Sequence, residues 1–165
     1  MMNYTSTRRL VAFDLENAAH TGLVCVDWAV DAAYLLSTTL GLKEYDLVFV
    51  AGGKQNLWPV TRVAEIMHGQ ARIRAGADGA DLALVDALEQ MPVGAIESER
   101  TPITEVVIIS GDGIFTEVAR EYVTRGLDVV VVSRTGQLHR DLESVASRVF
   151  LMDGLIRPDE YALTA

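Results

Sequence analysis

Acidic side chains follow two apolar runs of the sequence, at positions where buried strands would end. Asp14, Glu16 and Asn17 come directly after the first run, and Asp112 lies just beyond a later one. In open α/β sheets, ligands bind outside the carboxyl ends of the strands, near the point where the strand order reverses. We therefore expect Asp14 and Asp112 to lie in two strand-to-helix turns, which converge if their strands are neighbours.

A third acidic group, Asp78, Asp81 and Asp86, lies between these two turns in the sequence. At about 100° per helical residue, Asp81 and Asp86 point roughly 140° apart, so only one of them can face the site. We favour Asp81, because it lies near the expected helix start, beside the strand ends. The helix dipole also favours an acid there, so capping is a second interpretation of Asp78 and Asp81.

Clustered aspartates without histidine or cysteine ligands indicate a particular metal chemistry. Mg²⁺ prefers a few carboxylates together with waters and phosphate oxygens, whereas zinc sites use nitrogen and sulfur ligands. Each aspartate alone is also typical of a helix cap. The combination of Asp14, Asp81 and Asp112 favours a site for Mg²⁺ or Mn²⁺ over three separate caps.

Short apolar runs that alternate with amphipathic stretches predict the elements that position these acids. Strands are expected within Leu10 to Phe13, Leu47 to Val50, Val106 to Ile109, Val129 to Val132 and Val149 to Met152, each buried on both faces. Helices are expected within Val26 to Leu40, Val60 to His68, Ala80 to Leu88, Phe115 to Thr124 and Arg140 to Ala146. This alternation predicts a mainly parallel sheet with right-handed crossovers.

Two further segments carry weaker signals. Ala71 to Ala75 alternates arginines with apolar residues, which is typical of a short edge strand with one face in water. Pro92 to Pro102 contains glycine, serine and glutamate and is expected to form an exposed loop.

Composition limits the class of protein. The 165 residues, half of them hydrophobic, suit one domain with a sizeable core. The single Cys25 cannot form an internal disulfide, and no apolar run approaches the roughly 18 residues of a membrane span. The first residues do not resemble a signal peptide. We therefore expect a cytoplasmic protein that does not act at a membrane.

The net charge of −9 argues against a broad nonspecific nucleic-acid surface, which normally depends on lysine and arginine. It does not exclude a metal nuclease, because bound divalent ions invert the local charge of an acidic site.

The three acidic segments, taken in order, resemble the NYN domain, a branch of the PIN-like nucleases. Residues 11–17 resemble its opening strand with an Asp-x-x-Asn signature, and residues 79–86 resemble its central acidic helix. Residues 108–115, followed by 126–133, resemble its Ser-Gly-Asp-x-Asp-Phe turn with the next helix and strand. The resemblance covers about residues 8 to 153 of a single domain, 1–165, with a short C-terminal tail.

This resemblance implies a three-layer α/β/α, Rossmann-like fold with strand order 3-2-1-4-5. It also implies metal-dependent hydrolysis of RNA, with Asp14, Asp81 and Asp112 as ligands of Mg²⁺ or Mn²⁺. Asn17 would orient a water or a phosphate oxygen. Glu16 is a further candidate or a solvent-facing residue.

Ser110, Arg134, His139 and Arg140 are candidate contacts to RNA, although surface arginines and histidines are commonly only solvated. The chain departs from the motif at Ile114, where the resembling pattern carries a second aspartate. This departure puts a second metal position in question.

Two other functions stay open. A non-catalytic NYN-like module would bind RNA or a protein partner, or form a homodimer. A Rossmann-like nucleotide binder is disfavoured, because Gly111 and Gly113 lack the remaining glycine spacing of the dinucleotide fingerprint. Trp58 is expected to be buried, with stacking on a nucleic-acid base as the other interpretation.

Overall fold

A computed structural model of the chain describes residues 6–153. The expected C-terminal tail lies outside the described residues. The described part contains a sheet of six parallel strands in the order β3-β2-β1-β4-β5-β6. The strands are β1 Arg8–Asp14, β2 Leu47–Gly52, β3 Gln70–Ile73, β4 Ile103–Ile109, β5 Asp128–Ser133 and β6 Arg148–Leu151. The expected order 3-2-1-4-5 is confirmed, and β6 extends it by one strand.

Seven α-helices connect these strands. They are α1 Leu15–Ala19, α2 Val26–Leu40, α3 Leu57–Ile66, α4 Gly79–Glu89, α5 Val93–Ile96, α6 Thr116–Thr124 and α7 Arg140–Val145. Short 3₁₀ turns at Lys54–Asn56 and Gly113–Phe115 precede α3 and α6. Of the helices in residues 6–153, none has the length and apolar character needed to cross a membrane.

Alternating side chains of the central strands divide the core in two. On β1, Val11 and Phe13 pack against α1, α2 and α3, whereas Leu10 and Ala12 pack against α4 to α7. All four side chains are fully buried, and burying a large apolar side chain contributes about 1.5–3 kcal/mol relative to leaving it in water. Burial on both faces explains why β1 is a continuous apolar run, and it produces the three-layer α/β/α arrangement.

Three expectations about peripheral segments need correction. All four residues of β6 are exposed, because β6 is the outermost strand of the described sheet, so the expected burial of Val149 to Leu151 was wrong, whereas Met152 is buried in the core as expected. Pro92 to Pro102 is not loop throughout, since α5 lies within it and buries Ile96 against the core. Trp58 is exposed, because it projects from the first turn of α3. The expected edge strand near Ala71 is confirmed as β3.

Candidate functional site

Asp14 ends β1 at the centre of the carboxyl edge of the sheet and is only 2% exposed. One carboxyl oxygen accepts a hydrogen bond from the main-chain N–H of Asn17 at 3.2 Å, which caps α1. The other accepts a hydrogen bond from the Ser110 hydroxyl at 3.2 Å. The contact with Ser110 forms because β1 and β4 are neighbouring parallel strands that end together. The two turns expected to converge therefore do so.

Helix α4 places Asp81 beside Asp14, close enough for the two carboxyl groups to change each other's pKa. The helix can begin this close to the end of β3 because residue 79 is glycine: a Cβ there would lie 2.4 Å from the carbonyl oxygen of Arg74. Asp86, five residues beyond Asp81, points away and bonds Arg74 at 2.9 Å. The start of α4 thus presents Asp81, and not Asp86, to the site.

The two carboxyl groups change each other's protonation. Burial raises the pKa of Asp14 well above its usual value, and the hydrogen bond and the negative charge of Asp81 raise it further. Burial also raises the pKa of Asp81; the hydrogen bond with Asp14 lowers it, whereas the charges of Asp112, Asp78 and Glu16 raise it. Two adjacent carboxylates repel each other when both are ionised, so a shared proton or a bound cation would stabilise this pair.

Asp112 follows β4 and is held by a compact turn. Its N–H donates to the Ser110 hydroxyl oxygen at 3.2 Å, so one hydroxyl group links the Asp112 main chain to the Asp14 carboxyl. Its side chain caps the following 3₁₀ turn by accepting from the N–H of Ile114 at 2.9 Å. Asp112 therefore acts on Asp81 through its charge, while its own carboxyl serves as a cap.

Asn17 fastens the same turn from the other side. Its side-chain oxygen accepts from the N–H of Gly111 at 2.9 Å. Gly111 is required here, because a Cβ would lie 2.3 Å from the carbonyl oxygen of Gln137. In this structure Asn17 thus orients main chain, whereas the sequence resemblance implied that it orients a water or a phosphate oxygen.

A groove of about 800 Å³ opens beside Asp112, between the Asp112 turn and the segment before α7. His139 and Arg140 form part of its wall, and both are exposed. The N–H of His139 donates to the carbonyl of Gly111 at 2.8 Å, and its imidazole Nδ1 accepts from the N–H of Asp141 at 3.2 Å. The wall of the groove therefore carries two basic residues, His139 and Arg140, together with two acids, Asp112 and Asp141.

Arg134 does not join this wall and lies instead against α1 and α2. Its Nε donates to the carbonyl of Ala18 at 2.6 Å, and its guanidinium lies 5.9 Å from the centre of the buried Trp28 ring. Both contacts stabilise the packing of the helices on the sheet.

Ile114 is 37% exposed and so is not a core residue. Its main-chain N–H bonds the Asp112 carboxyl, so an exposed apolar side chain follows the Asp112 turn. Glu117, one turn further along, is exposed and pairs with Arg120, so it does not take the place of the aspartate that the resembling motif carries at position 114.

Sequence reasoning missed how Glu16 and Asn56 connect two strand ends. Glu16 accepts hydrogen bonds from the N–H of Gly53 at 2.6 Å and from the Asn56 side chain at 2.7 Å. Asn56 is fully buried and also accepts from the N–H of Val24 at 2.9 Å. Glu16 therefore joins the turn after β1 to the segment after β2 and is not simply a solvent-facing residue. The glycine pair 52–53 after an apolar run was the signal that marked this second strand end.

The oxygen-only donor set fits Mg²⁺ or Mn²⁺ in composition. The buried Asp14 carboxyl in contact with Asp81 supports this fit, because a cation would remove the repulsion between them. Within residues 6–153, however, no three histidine, cysteine, aspartate or glutamate side chains already stand close enough together to enclose an ion. The side chains would have to adjust to enclose one, and Asp112 could do so with the carboxyl oxygen that does not cap the 3₁₀ turn.

Comparison with known proteins identifies the fold of this chain but does not assign it to a family. No protein-family model matches the chain, and no curated protein matches it. A solved structure of VPA0982, a protein of unknown function from Vibrio parahaemolyticus, superposes with a TM-score of 0.63 at 13% identity. The match covers 93% of this chain and 97% of that one. At this identity the likeness shows only that the two chains share a Rossmann-like three-layer fold.

Proposed function

We propose that this chain is a Mg²⁺- or Mn²⁺-dependent endoribonuclease of the NYN, PIN-like type. The observation that carries the proposal is the contact between the buried Asp14 and Asp81, with the charge of Asp112 acting on the same pair. Three separate elements supply these acids to one sheet edge. A fold that only needed helix caps would not bring two carboxyl groups into contact at an energetic cost.

Asp14, Asp81 and Asp112 would hold the ion, with Asp14 as its buried anchor. The bound ion would polarise a phosphate oxygen and lower the pKa of an attacking water. Ser110 keeps the Asp14 carboxyl in position through its hydroxyl, and Asn17 keeps the Asp112 turn against it. Both contacts are made at the carboxyl edge of the sheet. Sites built on such regular elements hold catalytic groups more precisely than sites on loops.

The groove beside Asp112 suits the RNA strand. Its wall presents the imidazole of His139 and the guanidinium of Arg140, and arginine contacts phosphate through two parallel N–H bonds. Ser110 is buried, so its part in RNA binding would be indirect. We place this activity in the cytoplasm, because the single cysteine of the chain cannot form an internal disulfide, and a reducing compartment therefore suits it.

A non-catalytic NYN-like module that binds RNA or a protein partner is the second candidate. Ile114 favours it, because an exposed apolar side chain occupies the place where the resembling motif carries a second aspartate. Such a module would keep Asp14 and Asp81 as a structural pair that shares a proton, and it would not depend on a divalent ion.

Cleavage of a mixed RNA pool with Mn²⁺, compared with EDTA, tests the proposal. Helix α4 offers a matched pair of variants: Asp81→Asn should reduce cleavage at least about a hundredfold, whereas Asp86→Asn, on the same helix but bonded to Arg74, should not. Asp14→Asn should match Asp81→Asn, and His139→Ala should have a smaller effect. Cleavage that persists in EDTA or in Asp14→Asn would refute the metal mechanism and leave the second candidate.

A further inference from the structure

His139 caps helix α7 with its imidazole ring. The ring nitrogen Nδ1 accepts a hydrogen bond from the main-chain N–H of Asp141 at 3.2 Å, and the main-chain N–H of His139 donates to the carbonyl of Gly111 at 2.8 Å. Serine, asparagine and aspartate are the usual residues at such a position, because their short side chains reach the same N–H groups. Capping alone therefore does not require an imidazole here.

The capping bond decides which ring nitrogen carries the proton. Only an unprotonated nitrogen accepts a hydrogen bond, so Nδ1 presents its lone pair and the neutral ring carries its proton on Nε2. The Asp141 carboxyl lies 3.8 Å from Nδ1 and would attract a charged ring, but protonation of Nδ1 would break the cap. The cap therefore favours a neutral imidazole with an Nε2–H donor.

This donor is free to bind a ligand. Among residues 6–153, no acceptor bonds Nε2 of His139, and the side chain is 54% exposed in the wall of the groove. The N–H group therefore points to an acceptor that the described part of the chain does not supply.

The ring of His139 lies directly against the Asp112 turn. Gly113 makes room for it, because a Cβ at that position would lie 2.7 Å from Cγ and 2.9 Å from Cδ2 of the imidazole. Gly111, on the other side of Asp112, holds the main chain of His139. The residues that flank Asp112 thus fix the imidazole beside the proposed metal ligand.

Charge alone does not explain what this groove binds. Arg140 is opposed by two acids in the same wall, Asp112 and Asp141, so an anion gains little from the net charge. An oriented N–H donor provides a directional contact instead. A phosphodiester oxygen is an acceptor only, and it forms stronger hydrogen bonds than a neutral carbonyl oxygen because it is charged.

We propose that His139 binds a non-bridging oxygen of an RNA phosphodiester through its Nε2–H, as a neutral hydrogen-bond donor and not as the acid that protonates the leaving oxygen. This inference rests on the proposed ribonuclease function and assigns one substrate contact within it.

Nuclear magnetic resonance of the full chain in EDTA tests the contact apart from cleavage. At about pH 8, where imidazole is normally neutral, two-bond ¹H–¹⁵N correlations should place the proton of His139 on Nε2. The dinucleotide UpU, which has a single phosphodiester, should shift the Nε2 signal. Uridine, which has the same base and no phosphate, should not.

Two variants separate phosphate binding from helix capping. His139→Ser keeps an oxygen that caps α7 but lacks the Nε2–H, so affinity for UpU should fall about tenfold to a hundredfold at an unchanged melting temperature. His139→Gln places an amide N–H at a similar reach and caps poorly, so it should keep most of the affinity and melt at a lower temperature. His68→Ser, which removes another exposed histidine just before β3, is the control and should change affinity less than about twofold.

Equal affinity of wild type and His139→Ser, a proton on Nδ1, equal binding of uridine and UpU, or absence of UpU binding would each overturn the inference. In cleavage with Mn²⁺, His139→Ser should raise KM more than it lowers kcat, and a loss of kcat at unchanged KM would make His139 an acid instead. If wild type fails to cleave RNA with Mn²⁺ but UpU binding still depends on His139, the nuclease proposal fails and the phosphate contact stands.

Discussion

Two buried aspartates lie at opposite ends of the sheet, and their surroundings differ. Asp46, just before β2, accepts hydrogen bonds from the main-chain N–H groups of Arg9 and Lys43, both at 2.8 Å, one at each carboxyl oxygen. Asp14, at the carboxyl edge, has two longer bonds of 3.2 Å and a second carboxyl group, Asp81, in contact. Both residues are almost fully buried, so burial alone does not distinguish them.

The difference separates a structural acid from a candidate functional one. At Asp46, two main-chain donors stabilise the negative charge and join β1 to the segment before β2. At Asp14, the neighbouring acid opposes the negative charge, and the unfavourable contact persists because the fold holds both elements in place. Buried groups whose surroundings oppose their charge are commonly found at functional sites.

The largest effect on stability is expected at Asp46. Asp46→Ala leaves two N–H donors without their acceptor, so the free energy of unfolding should fall by about 2–3 kcal/mol, measured by urea denaturation. Asp14→Asn should cost less than about 1 kcal/mol, because the amide keeps the shape and removes the repulsion. Equal losses in the two variants would show that Asp14 is a structural acid of the same kind.

The pH dependence of stability should differ between wild type and Asp14→Asn, because Asp14 and Asp81 titrate together in wild type. Both pKa values are raised in the folded chain, so their stabilising contribution is complete below the unfolded value near 3.8 and is lost as pH rises through the folded values. The unfolding free energy of wild type should therefore fall relative to Asp14→Asn as pH rises above about 4, by at most about 1.4 kcal/mol per pH unit for the one carboxyl group that the variant lacks.

Mg²⁺ at millimolar concentration should reverse this loss at neutral pH in wild type and leave Asp14→Asn unchanged. Thermal melting with and without EDTA across the same pH range provides the measurement. If the melting temperature of wild type changes with pH in parallel with that of Asp14→Asn, repulsion between Asp14 and Asp81 does not destabilise the fold.

The smallest effect on stability is expected at Ile114. Because this side chain is 37% exposed, Ile114→Asp should change the free energy of unfolding by less than about 0.5 kcal/mol. If the new carboxylate joins the site, calorimetric titration should show Mn²⁺ binding several-fold more tightly. Glu117→Ala, a nearby exposed position that pairs with Arg120, is the control and should leave Mn²⁺ affinity unchanged. Unchanged affinity in Ile114→Asp would place the ion away from the Asp112 turn.

Most of the central fold could be predicted, because its strands are buried on both faces. Such strands are continuous apolar runs, and the runs around Leu10, Val106 and Val129 all became strands of the sheet. At the edges the same rule failed. Val149 and Phe150 look like core residues but form an exposed edge strand, because hydropathy does not tell which strand lies outermost.

The sequence by itself determined that acids follow the strand ends, since the apolar runs stop immediately before Asp14 and near Asp112. It also separated Asp81 from Asp86 through helical periodicity. Only the tertiary structure decided that Asp81 lies beside Asp14, that Glu16 bonds the loop after β2, and that Arg134 packs on Trp28. The physical reason is that strand order and helix packing set these contacts between residues far apart in the chain, while sequence periodicity reports only the face on which each residue lies.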